Sequence, residues 1–103
     1  MNELTKIFKQ IRQLIRADGT KLDLPNARSI EQHRKMLNAN TLDTVTLHHM
    51  GQPRHVMLID DIGHDKKLPV NAEATRLYHA NCSPGTTHTI RGDVIVAPDA
   101  DFA

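Results

Sequence analysis

The sequence has no tryptophan, one tyrosine (Tyr78) and two phenylalanines (Phe8 and Phe102) in 103 residues. That scarcity excludes an aromatic core and a base-stacking platform, since each needs several large rings close together. The core must be aliphatic, built from Leu, Ile, Val and Met. Cysteine occurs once, at Cys82. An intrachain disulfide is therefore excluded, and a reducing compartment fits. No run approaches the roughly eighteen apolar residues of a membrane span, so no membrane role is expected. The start, Met1-Asn2-Glu3-Leu4-Thr5-Lys6, lacks the apolar segment of a signal peptide, and a cytoplasmic location is the expectation. The five glycines (Gly19, Gly51, Gly63, Gly85 and Gly92) are scattered, which excludes a phosphate-cradling glycine loop.

Charge of either sign is not in excess: the formal net charge is +1. Its distribution is uneven. Residues 1–38 carry eight Lys/Arg against four acids, net +4, and residues 39–103 carry five bases against eight acids, net −3. Such asymmetry can mark a basic contact face or a self-complementary surface, although charged residues are mostly just solvated.

What is present reads as alternating short elements. Leu4, Ile7, Phe8 and Ile11 recur at helical spacing, with Lys6, Lys9 and Arg12 on the other side. This predicts a basic amphipathic helix within residues 1–12, its helical part running to about Gln10. Two short alternating runs then flank Asp18-Gly19, the signal for a hairpin with a two-residue turn whose central residues both take φ > 0. Ser29 with Gln32 three residues on forms a capping box and starts a helix, which Asn38 and Asn40 end. Leu42–His48 is β-branched and reads as a strand. His55–Asp60 is a continuous apolar run, as expected of a central strand covered on both faces. Asn71 caps a second helix with Ala74, Leu77 and Tyr78 on its buried stripe. Ile90 and Val94-Ile95-Val96 make the last strand, with a bend or bulge at Gly92, and the acidic end after Pro98 is expected to fray.

The expected fold is one α+β domain over residues 13–103, in the order hairpin, helix, two strands, helix, strand. Its mostly antiparallel sheet of about five strands carries two helices on one face. The apolar central run needs cover on its other face too, which predicts a homodimer or docking of the N-terminal helix there.

Several motifs follow one another in a characteristic order. They are Arg16-Ala17-Asp18-Gly19-Thr20, the helix begun by Ser29, the Val45 and Val56 strands, Leu68-Pro69-Val70-Asn71 with Ala74-Thr75 and Leu77-Tyr78, and Gly92-Asp93-Val94-Ile95-Val96. Over roughly residues 13–102 the chain resembles a small family of domains of unknown function, found mainly in bacteriophages, plasmids and other mobile elements. The resemblance implies a mobile-element accessory gene in a bacterial host and carries over no catalytic residue.

Chemistry has thin support. Of seven histidines, His48, His49 and His55 flank one predicted turn, but adjacent strand residues point to opposite faces and cannot share a metal. No Cys cluster or His-Glu-x-x-His helix accompanies them. Asp60 and Asp61 diverge for the same reason, and strand-end solvation explains them. His79 and Cys82 are close enough in sequence for a thiol–imidazole pair, but no third orienting group is identifiable. No catalytic, metal or cofactor-binding residue is therefore assigned, and no cofactor is expected. The candidate binding residues are the basic set Lys6, Lys9, Arg12 and Arg16. The leading expectation is a non-enzymatic protein that binds and modulates or inhibits a host protein complex, with anti-defence as its natural form. The alternative is a nucleic-acid or nucleotide binder using that basic segment.

Overall fold

The computed structural model describes residues 10–48, 53–82 and 85–102. It contains β1 (Gln13–Ile15), β2 (Lys21–Asp23), α1 (Ile30–Met36), β3 (Leu42–Leu47), β4 (His55–Asp60), α2 (Ala72–Ala80), β5 (Val94–Pro98) and a closing 3-10 turn, Asp99–Phe102. The strands form one five-stranded sheet in the order β2-β1-β5-β4-β3, with every neighbouring pair antiparallel. The fold is thus a small α+β domain with two helices. The N-terminal helix expected before it falls on residues 1–9, outside the described residues. Gln10, Ile11 and Arg12 carry no helix. Ile11 already packs on the core and its N–H donates to His55 Nε2 at 3.0 Å.

The β1–β2 hairpin forms where Asp-Gly marks it, with a different turn. Gly19 N–H donates to the Arg16 carbonyl (2.9 Å) and Arg16 N–H to the Thr20 carbonyl (2.8 Å). The loop is therefore three residues, Ala17-Asp18-Gly19, and of these only Gly19 has positive φ (94°). A type I turn followed by a left-handed glycine satisfies the strand twist with one such residue instead of two. Asp18 Oδ1 accepts from Thr20 N–H at 2.8 Å and holds the turn.

Helix α1 is only seven residues long, so its ends decide whether it forms. The Ser29–Gln32 capping box is present in both directions. At the other end Asn38 takes φ 52°, while Ala39 N–H reaches the Arg34 carbonyl and Asn38 N–H the Lys35 carbonyl, each at 3.1 Å. This is a Schellman closure.

Strand alternation sorts the core into two layers. Ile15, Leu47, Met57, Val94 and Val96 face Ala74 of α2, with Leu77 and Tyr78 packed against them. Leu14, Val56, Leu58 and Ile95 face the other way, where Leu24, Leu37 and Phe102 cover them. The helices therefore lie on opposite faces, not on one. β4 and β5 are apolar at successive positions, so each face needs its own cover. Leu37 at the end of α1, with Phe102, supplies the second. Among the described residues, side chains of this chain pack on both faces of the sheet.

The acidic end is not frayed over its described part. Pro98 is buried at the end of β5. Beyond it Asp101 accepts two hydrogen bonds from the Arg12 guanidinium, at 2.8 and 2.7 Å. The Phe102 ring meets His33 of α1 edge-on, with centroids 5.5 Å apart.

Candidate functional site

The buried polar residues hold the scaffold. Asn71 is fully buried: its side-chain oxygen accepts from Ala74 N–H (3.0 Å), and its amide donates to the Ile15 carbonyl (3.0 Å) and the Gly92 carbonyl (2.9 Å). One side chain thereby caps α2 and ties it to β1 and to the bend before β5. Gly92 sits at φ 83°, and a Cβ there would lie 2.8 Å from Leu68 Cδ1. His55 is buried in β4, neither exposed nor on an edge strand. Its Nε2 accepts from Ile11 N–H, so Nδ1 carries the proton and donates to the Pro53 carbonyl at 2.8 Å. Asp60 is also buried rather than solvated. It accepts from Lys66 Nζ at 2.7 Å and from Ile62 N–H at 3.0 Å, while its neighbour Asp61 is exposed.

The His79 ring is engaged away from Cys82. His79 Nε2 donates to the His88 carbonyl at 2.6 Å. Cys82 associates instead with Tyr78, whose hydroxyl it pushes above its ordinary 10, first through a hydrogen bond and then through charge.

The described surface does bring together groups that are scattered in the sequence. His64 and His88 lie ring to ring, centroids 4.9 Å apart, and Tyr78 meets His88 at 5.8 Å. Asp43, Asp61, Arg91 and these two histidines line a cleft of about 120 Å³. His64 Nε2 donates to the Thr89 carbonyl at 3.1 Å, fastening the turn after β4 to the segment before β5. No sequence signal marks this meeting, because it joins positions more than twenty residues apart through β4, α2 and the approach to β5. Among the described residues no group of three or more His, Cys, Asp or Glu is placed to hold a metal ion.

Of the basic candidates, only Arg12 and Arg16 are among the described residues. Lys6 and Lys9 lie outside them. Arg12 is committed to Asp101 and is partly buried. Arg16 is exposed at the start of the hairpin loop.

What sequence reasoning missed is the apolar surface on one side. Leu22 (48 % exposed), Ile30 (42 %) and Met36 (38 %) are large exposed hydrophobics. Leu22 stands opposite Leu14 in the β1–β2 pair and so points to the α1 side of the sheet. Ile30 and Met36 flank the buried stripe of α1. Periodicity alone assigns such residues to the core; only the short span of the cover leaves them outside.

Comparison with family models, curated proteins and solved structures returns no match. Among the described residues no helix is long and apolar enough to cross a membrane.

Proposed function

We propose that this chain is a non-enzymatic accessory protein of a phage or plasmid. In this reading it acts in the cytoplasm of a bacterial host by binding a host protein complex and modulating or inhibiting it, with anti-defence activity as the natural form. The observation that carries the reading is the distribution of commitments. Buried polar side chains such as Asn71, His55 and Asp60 are spent on holding loops and strands together. Of the four large exposed hydrophobics among the described residues, Leu22, Ile30 and Met36 lie on the α1 side, and Val70 lies before α2. A surface of this kind gains by docking on a protein, because removal of apolar area from water is the general driving force of such contacts.

The test uses the full chain as bait in a bacterial lysate. One discrete complex is expected to co-purify with it. Replacing Ile30 and Met36 together by lysine should lower its recovery at least about tenfold while the melting temperature stays within a few degrees, as for exposed substitutions. Nucleic acid offers a second reading through Lys6, Lys9, Arg12 and Arg16, but contact by Arg12 would require breaking its bridge to Asp101. Retention of DNA or RNA that falls steeply with salt, with no protein complex recovered, would replace the first reading by this one.

A further inference from the structure

The geometry points to the free edge of β2 as a self-pairing surface, on which a second copy of this chain docks its own β2 antiparallel and extends the sheet across a two-fold axis at Leu22. The inference goes beyond protein binding in general and does not depend on it.

Strand β2 ends the sheet, with β1 on one side and no neighbour among the described residues on the other. The flanking ladder bonds, Arg16 N–H to Thr20 and Leu24 N–H to Arg12 (both 2.8 Å), set which residues face β1. By alternation Leu22 bonds inward, and the backbone N–H and C=O of Lys21 and Asp23 point outward from the edge. Two outward-facing residues spaced by one are the minimum for a closed antiparallel pair. With Leu22 on the axis, Lys21 stands opposite Asp23 of the second copy, and Asp23 opposite its Lys21. Both couples form doubly hydrogen-bonded pairs, giving four backbone bonds in all.

The side chains agree with this register. Directly opposite residues share a face, so each couple sets an ammonium beside a carboxylate. Within one copy Lys21 reaches Glu73 at 2.9 Å and Asp23 accepts from Gln13 Nε2 at 3.1 Å, so the cross-pair charges extend these contacts rather than fill empty ones. Leu22, nearly half exposed, meets its own copy across the axis in the closer, non-hydrogen-bonded pairing. A charged residue on an edge usually discourages added strands. Here the edge offers one charge of each sign, so a strand of a single sign loses at one position what it gains at the other, whereas a second copy sets opposite charges together at both. The contact is short and belongs to the weak, reversible class.

Sedimentation equilibrium of the whole chain from about 10 µM to about 1 mM tests this, the upper end being a bound on any specific association. A concentration-dependent dimer is expected. Asp23→Pro removes an outward N–H that no bond among the described residues uses, a position where edge strands accept proline, and should leave the melting curve in place and the protein monomeric. Asp23→Lys and Lys21→Asp each set like charges opposite one another and should each weaken self-association at least about tenfold. Mixed in equal amounts, the two should form a heterodimer. A wild-type protein that stays monomeric to about 1 mM, a dimer that survives Asp23→Pro, or a mixture that fails to associate would each overturn the proposal.

Discussion

Asn71 is the residue on which most of the fold converges. Its side chain satisfies one orphan N–H of α2 and two carbonyls from distant segments, all in a fully buried setting. Asn71→Ala is expected to lower unfolding free energy by about 3 kcal/mol, from the lost cap and two carbonyls stranded without water. Asn71→Asp keeps the cap acceptor but offers no donor, so urea denaturation should find it nearly as unstable as the alanine variant. The cap was legible from sequence; the two extra bonds were not, since Ile15 and Gly92 lie far away along the chain. His33 is the converse case. It is buried, and neither ring nitrogen has a hydrogen-bond partner among the described residues. Burial holds it below its ordinary 6.5, Arg28 adds to that effect and Asp101 opposes it. A histidine lowered in this way binds its proton more weakly folded than unfolded. Its contribution to stability is therefore full above pH 6.5 and shrinks as pH falls from there to the folded value. His33→Leu should flatten that part of the stability–pH curve. Glu73 acts in a separate window: hydrogen bonds from Arg76 and Lys21 hold it down at about 2 from the usual 4.5, so its share is lost between those values.

Among the elements, the hairpin shows how far a local signal reaches. Asp18-Gly19 marks the reversal correctly, yet the loop is one residue longer than the two-residue turn it suggests. Both turns end on Gly, and the choice between them rests on the register of β1 against β2, with Ile15 opposite Lys21. Gly19 at φ 94° has open space around a would-be Cβ, so strain alone is at stake there. Gly19→Ala is expected to cost about 1 kcal/mol in thermal or chemical unfolding. Helix α1 was legible down to its caps because Ser29, Gln32 and Asn38 act within one turn of where they stand. Its placement was not, because a helix with one modest apolar stripe fits either side of a sheet.

At the scale of the molecule, one sheet is covered on both faces by this chain's own described residues. Leu14, Val56, Leu58 and Ile95 would lie bare without Leu24, Leu37 and Phe102. Phe102 completes that cover from the far end of the chain, while the Arg12–Asp101 bridge holds its turn in place. Phe102→Ala should destabilise by about 2 kcal/mol, less than for a fully buried ring because this one is only half-buried. It should also loosen His33, visible as faster amide exchange in α1. Arg12→Ala tests the same clasp through its other half and is expected to weaken the turn without opening the α2 face.

The chain's order of residues was enough to set the class, the element sequence, both helix caps and the buried character of β4, because each depends on neighbours within a turn or on a run of apolar side chains. The side of the sheet each helix takes, the partners of Asn71 and His55, the meeting of His64 with His88, and the apolar surface left beside α1 were decided by packing in three dimensions. Those features join residues that the chain keeps far apart, and no local preference records which distant groups will share a face once both sides of one sheet must be hidden from water.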